Sequence, residues 1–491
     1  MGESAQEPGQ SGVPELKGDA RRAVEHRGSH LQIIASAGAG KTEVVSQRVV
    51  DLFADGVPPR AIVAFTFTER AAEALKGRVE KRVRARLGDT FVDGLNSFFC
   101  GTIHSYCFRV LQEHVPQYET YDVLDDHRFA AFLARECTRL GLKDLSGTQW
   151  RSIRAFATNV QVVENELIGI DQLEDPFREI YERYLSSLEA YRLLTYGQII
   201  SRTVSELGSP ATYERVHGPL RHLIVDEYQD VNPAQEELVR LLAQPPVELC
   251  VVGDDDQSIY QWRGSTVANI VTFRDRYPNV SSFEIKENRR SLPGIIDVGN
   301  AFGATIDGRL PKVMEKVREG KGDEVVCWSA PTEADQAERI AQAIKRAVKE
   351  KGYRYRDVAV LVRGSVSYQC LVDAFLSTGV PIAPAGRTLL FQRPEAQVLG
   401  ETLAWLVDHD WRPESYGRGT QPQLNDLLGR FSVLFDLAVE DQRKVESFLQ
   451  GWKEEVVSPT GPADLVGMLY KLIELFGARE WDFEDATAIT R

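Results

Sequence analysis

The stretch Leu31-Gln32-Ile33-Ile34-Ala35-Ser36-Ala37-Gly38-Ala39-Gly40-Lys41-Thr42, running on into Glu43-Val44-Val45-Ser46-Gln47-Arg48-Val49-Val50, decides the fold class. Leu31 to Ile34 is an apolar run of buried-strand length, and Val44, Val45, Val49 and Val50 recur at helical spacing. Small residues, a lysine and a threonine separate the two. Strand, glycine-rich loop and helix in that order make one unit of an α/β fold. The unit repeats downstream, where Ile62, Val63, Ala64 and Phe65 precede the helix-forming stretch Glu69 to Val83. Two further buried strands, in Leu220 to Glu227 and Val247 to Asp256, each end in carboxylates. Apolar strands alternating with helices predict a parallel sheet whose ligands gather at the carboxyl ends of its strands.

Working outward, Leu111 to Leu207 reads helical, with Phe129, Phe132 and Leu133 at helical spacing. It is expected to be a helical insertion (111–207) inside a first α/β domain made of 16–110 and 208–284. A second alternation over 285–395 contains EVVCWSA (324–330), DVAVLVRG (357–364) and a helical stretch that Gly379 stops before Val380 and Pro381. From about Glu395 onward only amphipathic helices are read, a second insertion over 396–491. Residues 1–15 are polar, acidic and rich in Gly and Pro, and read as a floppy tail without the basic start and apolar middle of a secretory leader.

A length of 491 residues implies about three or four domains. With 43% hydrophobic and 26% charged residues, the chain belongs with folded globular proteins rather than disordered ones. Apolar runs such as Val358 to Val362 fall far short of the ~20 residues that cross a bilayer. Six cysteines without a CxxC pair argue against a metal or redox centre and fit a reducing, cytoplasmic setting. Lys plus Arg at 58 against Asp plus Glu at 72 gives a net charge of −14. That excludes a binder of nucleic acid over its whole surface and confines any such site to a local patch.

The loop Ala35, Ser36, Ala37, Gly38, Ala39, Gly40, Lys41, Thr42 is similar to a P-loop, with Ala35 where the generic pattern has its first Gly. Small residues let backbone N–H groups converge on phosphate oxygens at a helix N-terminus, Lys41 reaches the terminal phosphates and Thr42 can ligate Mg²⁺. An ordinary glycine-rich turn needs no Lys-Thr pair. Asp226 and Glu227 close a buried strand, so strand alternation would send their side chains to opposite sides. Asp226 is then the metal ligand and Glu227 the base that activates water. Tyr260, Trp262 and Arg263 offer the aromatic and guanidinium planes that sequence-neutral grip on single strands uses, with Phe67 and His104 as further candidates. Phe67 and Trp262, each read alone, serve equally well in a core. The basic helix face of Arg78, Lys81, Arg82, Arg84 and Arg86 reads either as a phosphate contact or as a solvated surface.

Taken in order, these segments resemble the UvrD/Rep-type superfamily 1 DNA helicases. Ala64 to Ala72 looks like motif Ia, Gly101 to Tyr106 like Ib, Asp226 to Gln235 like motif II, and Gly253 to Ser265 like motif III. Glu287 to Ser291 is similar to motif IV, and Leu390 to Glu395 to the family's phenylalanine-arginine signature. The resemblance implies two RecA-like motor domains with helical insertions, use of ATP and Mg²⁺, and 3′ to 5′ translocation on single-stranded or tailed duplex DNA. It makes Gln257 a sensor between γ-phosphate and DNA, and Arg290 an arginine finger supplied in cis. The rival class is a nucleotide-gated DNA-binding or regulatory subunit that does not unwind, completed by a nuclease or repair protein.

The chain departs from the family pattern in three places. Ala20 stands four residues after Leu16, where the family has an adenine-reading Gln, and Arg289 replaces the Tyr that stacks on the base. Neither motif V nor motif VI is found after Glu395, so the sequence is expected to stop inside the second insertion.

Overall fold

The computed structural model describes residues 15–145, 149–259, 264–322, 324–382, 394–411, 420–435, 437–457 and 465–475. The expected tail up to residue 14, Tyr260, Trp262 and Arg263, residues 390–393 of the phenylalanine-arginine signature and 476–491 of the second insertion lie outside them. The chain divides into two compact units, Met1–Cys327 and Trp328–Arg491.

The strands of the first unit are β1 (His30–Ala35), β2 (Ile62–Thr66), β3 (Phe99–Thr102), β4 (Asp122–Leu124), β5 (Leu193–Thr195), β6 (His222–Val225), β7 (Glu248–Gly253), β8 (Val280–Ile285), β9 (Glu287–Asn288) and β10 (Glu315–Lys316). Six of them form one sheet in the order β3-β2-β6-β7-β1-β8, with every neighbouring pair parallel. The parallel α/β sheet read from the sequence is therefore present. Its strands alternate between two cores. Ile34, Leu223, Val225, Leu249 and Val251 enter one, while Leu31, Ile33, Ile224, Cys250 and Val252 enter the other. Both faces are covered, which is why these strands read as unbroken apolar runs. Helices Ile103–His114, Tyr196–Glu206 and Pro233–Leu242 contribute to the first core, and Gly18–Glu25, Lys41–Ala54 and Glu69–Leu87 to the second. Each fully buried Val, Leu, Ile or Phe contributes roughly 1.5–3 kcal/mol.

Helices Asp126–Leu140, Gln149–Asn165 and Phe177–Tyr191 carry a core of their own, built on Phe132, Leu133, Phe156, Val160 and Tyr184. That separate core runs from Leu124 to Leu188, whereas Leu111, Ile199, Ile200 and Leu207 pack with the sheet. The short parallel pair β4 and β5 stands at the junction. Nearby lies Glu164, a carboxyl buried among aromatic rings, accepting from Thr195 Oγ1 at 2.8 Å and Tyr184 Oη at 3.4 Å. Burial pushes it up to about 8.

In the second unit, helices Glu333–Lys351 and Ser365–Thr378 share a core that includes Ala341, Ile344, Leu371 and Phe375. Pro394–Leu406, Leu424–Phe435, Val439–Val457 and Leu465–Leu475 share another, around Leu399, Phe431, Leu449 and Trp452. The strands expected in 324–330 and 357–364 are not formed among the described residues. A strand exists only through its ladder partner; without one, Val326 and Leu361 stand 74% and 94% exposed. No helix of the described residues is long and apolar enough to cross a membrane.

Candidate nucleotide site and its neighbours

Because the sheet is parallel, the carboxyl ends of β1, β6 and β7 deliver their loops to one rim. β1 ends at Ala35, and the loop Ser36 to Gly40 hands over to the helix Lys41–Ala54. Gly38 (φ +73°) and Gly40 (φ +88°) hold left-handed backbone, and Gly40 caps the helix without a side chain. A helix N-terminus without a side-chain cap, following a glycine-rich loop, is the arrangement that receives an anion. Gly38 is also crowded: a Cβ there would lie 2.7 Å from Asn288 Oδ1 and 2.9 Å from Arg290 Cβ.

Lys41 Nζ donates to Glu227 Oε2 at 2.7 Å, and Gln229 Nε2 donates to the same oxygen at 2.8 Å. Strand alternation, the ground on which Asp226 and Glu227 were expected to diverge, does not apply to them, since both follow the last residue of the strand. β6 ends at Val225, and Glu227 adopts left-handed backbone (φ +53°), a cost of order 1–3 kcal/mol borne at a residue that faces the P-loop lysine. Asp226 is buried, and its Oδ1 accepts the Glu227 N–H at 3.0 Å. Burial first, then the Glu227 charge, push it up to about 6, with Lys41 opposing. Such a carboxyl is short of a compensating cation, and a divalent ion suits it. Thr42, the other residue expected to hold Mg²⁺, begins the adjoining helix half-buried.

From Glu227 the hydrogen bonds continue. Gln229 Oε1 accepts the Asp254 N–H at 3.0 Å, and Gln257 Nε2 donates to Asp254 Oδ2 at 2.6 Å. Lys41, Glu227, Gln229, Asp254 and Gln257 thus form one unbroken chain of contacts. The acids Asp254, Asp255 and Asp256 bring their ligand atoms within 4.8 Å of one another. The Lys312 ammonium stands among them, 3.0 Å from Asp254 Oδ1 and 3.2 Å from Asp256 Oδ2, and also pairs with Asp255. It takes the place a metal ion would need.

Arg290 reaches the same rim from the other side. Asn288 Nδ2 donates to the Ala37 carbonyl at 2.8 Å, and the Arg289 N–H donates to the Gly38 carbonyl at 3.1 Å, so the end of β9 and the residue after it are stitched to the loop. Arg290 itself is exposed. A cavity of about 390 Å³ opens beside the loop, with Leu16, Ala20, Ala39, Gly40, Glu43 and Arg289 on its wall. The two departures in the sequence, Ala20 and Arg289, therefore share one cavity.

Phe67 follows β2, half-buried, and His104 opens the helix after β3, its ring edge-on to Tyr196 at 5.6 Å. Burial holds His104 down at about 4, so it is neutral near pH 7. The basic helix face is largely spoken for: Arg82 pairs with Glu43, Arg84 with Asp89 and Arg86 with Asp51.

Gln229, Asn288, Arg309 and Lys312 were not singled out by sequence reasoning. Gln229 lies inside the motif II segment and Asn288 inside the motif IV segment, so those two had a signal; the others had none.

Comparison with known proteins identifies the family. The UvrD/REP helicase N-terminal domain matches residues 16–278, and the UvrD-like helicase C-terminal domain matches residues 283–407. ATP-dependent DNA helicase UvrD1 of Mycobacterium leprae is 34% identical over 409 residues, covering 77% of this chain and 51% of the relative. UvrD1 of Mycobacterium tuberculosis is 33% identical over 402 residues (76% and 50%), and ATP-dependent DNA helicase PcrA of Leuconostoc citreum 30% over 383 (76% and 50%). The chain spans about half the length of the curated relatives it matches. With more than half of its residues matched by the N-terminal domain alone, the chain belongs to the UvrD/REP helicase family.

Proposed function

We propose that this chain is the ATP-hydrolysing part of a single-stranded DNA translocase or helicase of 3′ to 5′ direction, acting on tailed duplexes. The observation that carries the reading is the hydrogen-bonded chain from Lys41 through Glu227, Gln229 and Asp254 to Gln257, because it joins the phosphate loop to the candidate sensor. Bound Mg-ATP would supply the phosphoryl group and the cation that polarises it.

In this reading the loop from Ala35 to Gly40 surrounds the phosphates with backbone N–H groups. Asp226 and Thr42 hold the cation, and Lys41 exchanges its Glu227 partner for terminal phosphate oxygens. Glu227, relieved of the ammonium, is then free to accept a proton from water, while Gln229 keeps its carboxylate oriented. Arg290 and Gln257 contribute donors where charge develops. Phe67 and His104, together with Tyr260, Trp262 and Arg263, are the proposed contacts to DNA bases.

Steady-state ATP hydrolysis with and without single-stranded DNA, followed by strand displacement on a 3′-tailed duplex, tests the reading. DNA-stimulated hydrolysis with displacement supports it. Nucleotide-dependent DNA binding without displacement would point to the regulatory class instead.

A further inference from the structure

We propose that Arg309 and Lys312 are positioning residues which, through the single strap Arg309–Arg318, set the Gln257 side chain and the Arg290 backbone in register with one another. The inference rests on the functional reading above and adds two residues that lie outside every segment resembling a helicase motif.

At one end of the strap, Arg309 grips Asp256 with two hydrogen bonds, Nε to Oδ1 at 2.8 Å and Nη2 to Oδ2 at 2.6 Å. The Leu310 N–H donates to Asp255 Oδ2 at 2.7 Å. The Lys312 side chain is 1% exposed and its ammonium touches all three acids. Lysine is almost never buried so completely unless paired, and one carboxylate would have sufficed to pair it. The division of Asp254 is informative. Oδ1 faces Lys312, which leaves Oδ2 to accept from Gln257 Nε2. Together with the Asp256 N–H, which donates to the same Oδ1 at 3.2 Å, Lys312 holds the carboxylate plane that holds the sensor amide.

At the other end, β10 pairs in parallel with β9, placing Glu315 opposite Glu287 and Lys316 opposite Asn288. Met314 is held by Asn300 through two hydrogen bonds, 2.9 and 3.0 Å. Arg318 Nη1 donates to the Arg290 carbonyl at 2.6 Å, and Asn288 Oδ1 caps the Arg290 and Ser291 N–H groups at 3.0 and 2.8 Å. The two donors proposed to meet the terminal phosphate thus hang from one short piece of chain. Lys312 touches neither phosphate nor DNA in this scheme and acts only through Asp254 and Gln257.

The test is a double-mutant cycle on the full chain, read as kcat and KM for ATP with saturating single-stranded DNA and as affinity for a fluorescent ATP analogue with and without DNA. Lys312→Met is expected to lower kcat about 10- to 100-fold, the range for partners that orient a working group. KM should stay within about threefold, and DNA should lose its influence on analogue affinity. Lys312→Arg should recover most of kcat. In a Gln257→Ala background the further effect of Lys312→Met should be under about twofold, since residues acting as a unit are not additive. Full additivity would overturn the inference. So would normal kinetics in the charge-matched Asp255→Asn/Lys312→Met protein, the form to use where Lys312→Met alone does not fold. A wild-type chain that neither binds nor hydrolyses ATP overturns the underlying reading and this inference with it; wild-type turnover with an additive cycle sinks only the strap.

Discussion

Lys41 and Asp226 share one carboxylate neighbour, and their predicted variants separate phosphate chemistry from metal binding. Lys41→Ala should lower ATP turnover at least a hundredfold in a steady-state assay, because a preorganised donor at developing charge is worth roughly 10²–10³. Glu227→Gln keeps an acceptor for Lys41 and Gln229, so analogue affinity should hold while hydrolysis falls about 10²–10⁴. For Asp226 the folded value of about 6 lies above the ordinary 3.8, so its ionisation costs stability. That cost is absent below about pH 4, grows between 4 and 6, and is complete above 6. A cation bound to the carboxylate relieves it. Mg²⁺ should therefore raise Tm at pH 7.5 but hardly at pH 5, and Asp226→Asn should abolish the difference in a thermal melt. The P-loop and the Asp-Glu pair were legible because their residue types stand close together in the sequence. Gln229 and Asn288 were marked only by the motif segments that contain them, and Lys312 by nothing, because the groups they hold lie 25, 251 and 57 positions away.

Among the elements, those buried on both sides were read best. β1, β2, β6 and β7 carry apolar residues to two cores and announce themselves as continuous runs. The apolar stretches at 324–330 and 357–364 carry the same local signal and form no ladder, since pairing is decided by a neighbour and not by the run itself. β9 and β10, two residues each, are too short to leave any pattern, yet they anchor the strap. The P-loop turn is predicted to fail with one methyl group. Gly38→Ala meets both a positive φ and the Asn288 amide, so nucleotide affinity should drop about tenfold or more in a binding titration, with Tm lowered by a few degrees. At the junction of the helical insertion, Glu164 has a folded value near 8 against an ordinary 4.5. Stability is then lost as pH rises through that window, and Glu164→Gln should flatten the profile and raise Tm by several degrees at pH 8. A variant whose melting temperature tracks wild type across pH 5 to 9 would remove Glu164 from this account.

For the molecule as a whole, the net charge of −14 and the ion-paired helix face imply few phosphate contacts. The affinity for single-stranded DNA should fall with salt with a log–log slope no steeper than about −3, equivalent to roughly four phosphates. Arg82→Ala should leave that slope unchanged and lower stability by about 1 kcal/mol, because it removes the charged partner of the Glu43 carboxylate beside the loop and leaves it the Gln47 amide. The rim of the sheet carries one more consequence. β6, which leads to Glu227, is hydrogen-bonded directly to β2, which leads to Phe67, and from β1 to β2 there are three ladder spacings, about 14 Å. A ladder of parallel strands packed on both faces cannot stretch. It is a ruler, with the phosphate end and the aromatic end engraved at fixed marks. Whatever stroke the proposed cycle produces must come from pieces hung on that ruler, and a pair of probes at Ser36 and Thr66 should read one separation throughout turnover.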